Sequence, residues 1–233
     1  MVMQDCLKYN DLKQLLSLEA KYQPDMAIFD KLLEGSVRKK YDTYEPIIKS
    51  GEYHPDAYIV ARGLVRSTYQ NGNHLTTTGF GLPGTMFISY HCYYGDQPSF
   101  YSLEACCPTD IVIVSKEHVD ELLRTSHDFS NWMLSVSMNQ LFYNESKEKM
   151  LSGDAKTRLM QLIERISGNI PERAEEAGPS DNHASMVQRI PYVRWQEIFK
   201  IVPSKIIASY LGITEQHLSK IKREISNARY IMF

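Results

Sequence analysis

The chain is short of several things at once. Four cysteines in 233 residues, Cys6, Cys92, Cys106 and Cys107, have neither the density nor the spacing of a secreted disulfide framework, and no Cys-x-x-Cys pair offers a zinc site. Buried or incidental thiols are the expected state; a redox or metal role would need a dimer to bring two copies together. Cys106 and Cys107, read as part of a strand, would point to opposite faces. No apolar run approaches the length of a membrane span, and Asp5 and Lys8 interrupt any signal-like stretch at the start. A cytoplasmic protein without membrane contact is therefore expected. Charge of one sign is also missing: 26 basic and 28 acidic residues leave a formal charge of -2, so nothing global suggests a nucleic-acid partner. His54, His74, His91, His118, His127, His183 and His217 fall into no nucleophile, carboxylate-pair or metal motif. No catalytic residue, metal or cofactor is assigned, and no enzyme is expected.

What is present is concentrated near the end. Between Lys200 and Phe233 six basic residues face two acidic ones, a small electropositive end on a nearly neutral body. Within it, Val202 to Arg223 reads as two short helices joined by a tight turn, the geometry of a helix-turn-helix. Pro203 and Ser204 are start signals for a first helix to about Tyr210, with Ile206, Ile207 and Leu211 inward and small Ala208 at the crossing. Gly212 supplies the positive φ of the turn and Ile213 an apolar plug. Thr214 caps a second helix whose buried stripe is Leu218, Ile221 and Ile225. Its other face carries Glu215, Gln216, Ser219, Lys220, Lys222 and Arg223, residues able to touch bases and phosphates. Two surface helices with an ordinary hinge would share the periodicity; the small residue, turn glycine, cap and basic outer face occurring together favour the DNA-reading form.

Upstream, about Asp11 to Leu33 is predicted helical with a break at Pro24. From Thr43 to Ser115 short extended runs alternate with Gly, Pro and Asn punctuation, including the Asn71-Gly72-Asn73 hairpin signal, which predicts an antiparallel roll or barrel. A short helix follows over Lys116 to Arg124 and a longer one over about His127 to Met150. The longer helix has one stripe of Phe129, Trp132, Met133, Val136, Gln140 and Tyr143, with Leu134, Met138 and Leu141 on another side. A helix apolar on two sides packs on its own domain and on something else. The first stripe is assigned to a dimer interface, with burial inside the monomer as the alternative. A fresh helix begins at Gly153-Asp154, Gly168 to Pro191 reads as an exposed loop, and Arg194 to Ile201 resumes helical periodicity. The fold class is α+β, in three parts: a sensor domain with N-terminal helices over 1–125, a connecting helix over 126–150 and a helix-turn-helix domain over 151–233.

Ile206-Ile-Ala-Ser-Tyr-Leu-Gly-Ile-Thr-Glu-Gln-His-Leu-Ser-Lys-Ile221, with weaker matches at Tyr58 to Arg66, Tyr101 to Ala105 and Asp154 to Leu159, resembles the Crp/Fnr family of bacterial transcription regulators. The resemblance covers nearly the whole chain. It implies a jelly-roll-like, cyclic-nucleotide-binding-like sensor, a homodimer, a palindromic double-stranded DNA operator, and RNA polymerase as a further partner of activating members. It places Glu215, Gln216 and Lys220 at base-reading positions with Ser219 beside them, and Lys222, Arg223 and Ser204 on phosphates. Thr214 starts that helix. Lys220 ranks first because lysine donates to guanine O6 or N7. After Arg223 the usual two-stranded wing has little sequence to form it; Ile225 to Phe233 are expected to close the small core.

The family's ligand cassette is where the chain departs. Thr85 to Phe100 contains no arginine, and a buried cyclic phosphate needs a positive charge or a dense set of donors. A response to cAMP is therefore not expected. Thr85, Phe87, Ser89, Tyr90, Ser99 and Tyr101 are candidates to line a pocket for a weakly polar effector of unknown identity, with a packed core as the competing reading. The alternative function is a ligand- or protein-binding module whose degenerate reader does not bind DNA.

Overall fold

A computed structural model describes residues 9–72, 74–167 and 199–230. Eight strands form two four-stranded sheets. Sheet one runs β1 (Val37–Tyr41), β8 (Thr109–Val114), β3 (Ala57–Arg62), β6 (Met86–Ile88). Sheet two runs β2 (Pro46–Ile48), β7 (Ser102–Ala105), β4 (Val65–Asn71), β5 (His74–Gly81). Every described pairing is antiparallel, so the chain folds as the expected roll. The β4–β5 hairpin turns at Gly72, φ +57°, with Asn71 opposite His74.

Sheet one divides two cores because side chains alternate across a strand. On β3, Ala57, Ile59 and Ala61 face helices, whereas Tyr58 and Val60 face the roll's interior. On β8, Val112 and Val114 join the helical side, and Ile111 and Ile113 the interior. β3 is therefore buried throughout apart from half-exposed Arg62. The helical cover is α1 (Tyr9–Ser17), α2 (Ala27–Leu33), α4 (Lys116–Thr125) and the first half of α5 (His127–Leu151). Ser115 and Ser126 cap the last two through their hydroxyls. The link between α1 and α2 is strapped along α5. Tyr22 Oη donates to Asp128 at 2.6 Å, the Asp25 amide donates to Asp128 at 2.9 Å, and Asn139 Nδ2 donates to the Glu19 carbonyl at 2.6 Å.

Three local expectations are corrected. Extended structure begins at Val37 rather than Thr43. Tyr90–Gly95 form a short helix, α3, inside the span from Thr43 to Ser115 predicted as short extended runs; six aromatic-rich residues show no period long enough to read. Cys106 and Cys107 lie in the turn between β7 and β8, not across a strand. There Cys106 donates its amide to Leu64, and Gly63, at φ +96°, leaves no room for a Cβ, which would meet the Pro108 carbonyl at 2.9 Å.

Candidate nucleic-acid interface

The C-terminal domain is built by α6 (Ala155–Ser167), α7 (Ser204–Leu211) and α8 (Glu215–Tyr230) around one apolar cluster. Asp154 starts α6: one carboxylate oxygen accepts from the Lys156 and Thr157 amides at 2.9 and 3.0 Å, and the other from Thr157 Oγ1 at 2.7 Å. The Thr157 hydroxyl, first among these donors, holds that carboxyl below the usual carboxylate range.

Between α7 and α8 each local prediction has its counterpart. Gly212 takes φ +65°, and the Ile213 amide reaches back to the Ala208 carbonyl at 3.0 Å, the closure a left-handed glycine permits. Thr214 Oγ1 accepts from the His217 amide at 3.2 Å, an N-cap in place. Leu218, Ile221 and Ile225 are buried with Ile206, Ile207, Ala208 and Leu211. Arg158 of α6 locks the unit, donating from Nη1 to Leu211 O and from Nε to Gly153 O, each at 2.8 Å.

The outer face of α8 is free: Glu215, Gln216, Ser219, Lys220 and Arg223 are exposed, as is Thr214, and Ser204 is half-buried. Lys222 differs. Its Nζ lies 3.7 Å from the centroid of the Phe199 ring, and burial lowers its pKa from the ordinary lysine value. It closes the α8 flank against the preceding segment rather than standing out with Lys220. The expected loop over Gly168 to Pro191, most of Arg194 to Ile201, and Ile231 to Phe233 lie outside the described residues.

The dimer stripe needs correction. Phe129 and Trp132 are 0% exposed, and Met133 and Val136 are also buried, all four in the chain's own helical core. Gln140 is exposed, and Tyr143 turns toward the C-terminal domain, 3.2 Å from Tyr210 Oη. The apolar residues α5 leaves uncovered are Leu134 (63%), Met138 (42%), Leu141 (55%) and Phe142 (51%). Their spacing of four, three and one places them along one side of the helix.

Two cassette hydroxyls are taken up by local bonds, whereas the buried Ser89 Oγ has no hydrogen-bond partner. Thr85 Oγ1 accepts from the Leu82 amide at 3.1 Å, closing a turn, and Ser99 Oγ donates to the Tyr101 carbonyl at 2.8 Å. Phe87 and Tyr101 pack on the roll's inner cluster, Ser89 is fully buried, and Tyr90 stands outside, stacked on Tyr94. Burial raises the Tyr101 phenol's pKa, so it stays a neutral hydroxyl. Arg66, on β4, is held by Glu104 at 2.8 Å and by Thr77 Oγ1 at 3.3 Å. Burial pushes the Cys106 thiol up to about 12. Among the described residues no three His, Cys, Asp or Glu side chains gather as a metal site, and no helix is long and apolar enough to cross a membrane.

Residues 38–126 match the family described as the cyclic nucleotide-binding domain. No curated protein sequence matches the chain. Among solved structures, it is similar to FixK2 from Bradyrhizobium japonicum at 18% identity and a TM-score of 0.61, over 83% of this chain and 85% of that one. CLP of Xanthomonas campestris, described as a c-di-GMP-responsive global regulator, is similar at 15% identity and a TM-score of 0.61, over 88% and 93% of the two chains. A CooA variant from Carboxydothermus hydrogenoformans is similar at 14% identity and a TM-score of 0.59, over 91% and 88%. At these identities the likeness is one of fold, and it extends from the roll through the connecting helix to the C-terminal helices.

Proposed function

From the premise that the chain is built on the Crp/Fnr plan, a cyclic-nucleotide-binding-type roll joined by a long helix to a helix-turn-helix, we propose that it is a homodimeric, sequence-specific DNA-binding transcription regulator that does not respond to cAMP. The observation that carries this reading is the α8 face: Glu215, Gln216, Ser219, Lys220 and Arg223 are exposed together on a helix whose turn, cap and buried stripe are all formed. A helix so presented enters the major groove with its first turns against base edges. Lys220 donates to a guanine, Glu215 and Gln216 read neighbouring positions, and Arg223 and Ser204 take phosphates. Lys222, already over Phe199, supports that flank and reaches a phosphate only by leaving the ring.

Two such helices must meet two half-sites, which requires a dimer. The strip Leu134, Met138, Leu141 and Phe142 is the face on which a second α5 would pack, with 126–150 as connector and 151–233 as reader. Two features support independence from cAMP: the arginine-free cassette, and the pairing of Arg66 with Glu104, which leaves that guanidinium committed. RNA polymerase is a partner if the regulator activates.

Selection from a random duplex library at several salt concentrations tests the reading. Enrichment of a paired half-site, with affinity falling as salt rises, is the expected result. No enrichment even at low salt would instead make the chain a binding module with an inactive reader.

A further inference from the structure

β5 is the last strand of its sheet, so the main-chain groups on its far side have no strand beyond them. Such an edge must be hydrated, charged or covered. Here the reader covers it. Ser209, on α7, accepts the Thr77 amide at 3.0 Å with its Oγ, and the same hydroxyl donates to the Leu75 carbonyl at 3.4 Å. Leu75 and Thr77 are two apart, the spacing at which an edge strand presents outward groups. One hydroxyl, both donor and acceptor, thus serves in place of a neighbouring strand's N–H and C=O.

The next residue strengthens the joint. The Tyr210 ring lies 5.2 Å from Phe80 of β5, its hydroxyl 3.2 Å from Tyr143 Oη, and the Lys147 ammonium 5.1 Å from its centroid. Lys147 also donates to the Thr78 carbonyl. Beneath these contacts, Leu64, Cys106, Phe80 and Leu82 of the roll share one apolar cluster with Ile206, Ile207 and Leu211 of α7. The helix before the turn is therefore seated on the sheet edge on one side and on α5 on the other. None of these contacts touches the exposed face of α8.

Because the Gly212 turn, the Ile213-to-Ala208 closure and one shared apolar cluster make α7 and α8 a single unit, the seat of α7 fixes where α8 points. In a two-fold reader the separation of the two recognition helices must match about one helical turn of DNA. We propose that Ser209 and Tyr210 are positioning residues that dock the reader on the open edge of the sensor sheet and thereby set the half-site spacing the dimer accepts. This rests on the DNA-reading function proposed above. A disturbance of the β4–β5 hairpin then reaches DNA as a change in accepted spacing, not in the bases preferred within a half-site.

The test uses the full-length dimer as Ser209→Ala, Ser209→Thr and Tyr210→Phe. Hydrogen exchange at the Thr77 amide is read alongside affinity for a selected operator and for the same operator with its centre lengthened by one base pair. Ser209→Ala is expected to speed Thr77 exchange about fivefold or more, the scale of one lost hydrogen bond, with Ser209→Thr restoring protection. The affinity ratio between the two operators is expected to shrink by a similar factor while half-site preference stays as in the parent. Unchanged Thr77 exchange in Ser209→Ala, or a uniform loss of affinity with the spacing ratio kept, overturns the proposal. If the parent chain selects no duplex, the DNA function itself fails, and Thr77 exchange alone decides whether the reader is docked.

Discussion

Arg158 and Leu211 are tied across the reader: the guanidinium of α6 donates to the last carbonyl of α7 at 2.8 Å, while its other edge holds Gly153 O at the junction with α5. A cation at a helix C-terminus meets carbonyls that the helix itself leaves without partners. Arg158→Met keeps the stem and removes both bonds. It is expected to lower stability by about 1.5–3 kcal/mol, the range for hydrogen bonds to a charged group. Denaturant unfolding measures this, and a change within a few tenths of a kcal/mol would show that the tie is idle.

On α5, the two apolar sides should respond differently. Leu141→Arg, combined with Leu134→Arg, places charge on the uncovered strip and is expected to leave a folded monomer in sedimentation experiments. Trp132→Ala, in the chain's own core, should instead lower stability by about 3–5 kcal/mol with association unaffected until unfolding begins. A dimer that survives the double arginine variant would place the interface elsewhere.

Lys220 and Lys222 stand two residues apart yet belong to different classes. Lys220→Ala is expected to cost about 1–3 kcal/mol at one cognate base pair and to relax preference there. Lys222→Met should leave base preference alone and weaken the packing on Phe199 by about 0.5–1 kcal/mol, seen as a lower unfolding midpoint. Equal loss of preference in both variants would mean that Lys222 leaves its ring and reads DNA as well.

The strap on α5 predicts an acid sensitivity. The Tyr22 hydroxyl, and after it the Asp25 amide, hold the Asp128 carboxyl below the usual carboxylate range. The native state thus favours the charged form, and the contribution is complete above the ordinary aspartate pKa of about 3.9. It is lost as pH falls through the lower native value. Asp128→Asn should flatten the fall in stability on acidification below about pH 4. A variant whose pH dependence matches the parent's would remove Asp128 from the acid response.

The reader was legible because its signals are local: Gly212, Thr214 and the stripe Leu218, Ile221, Ile225 each declare their role within a few residues. The roll was legible for a related reason, its strands being punctuated by turns such as Asn71-Gly72. The covered side of α5 was not, because a helix apolar on two sides carries no mark saying which side its own sheet will cover. Trp132 and Leu134 are equally apolar to a periodicity count, yet one is fully buried and the other 63% exposed. Lys222 looked like its neighbours until Phe199 was placed beside it. The seat of Ser209 was the least readable, since its partner Thr77 lies 132 residues away in sequence and only its backbone is involved.

Relying on the reader to cover β5 leaves a liability that falls on solubility. Whenever the reader lifts, the protein bares a row of main-chain donors and acceptors beside Leu75, itself 47% exposed, and that row is a template on which another molecule's strand can add. Conditions that loosen the joint should therefore favour sticky, concentration-dependent assemblies. Docked, the reader shields the strand edge of the sheet that carries it.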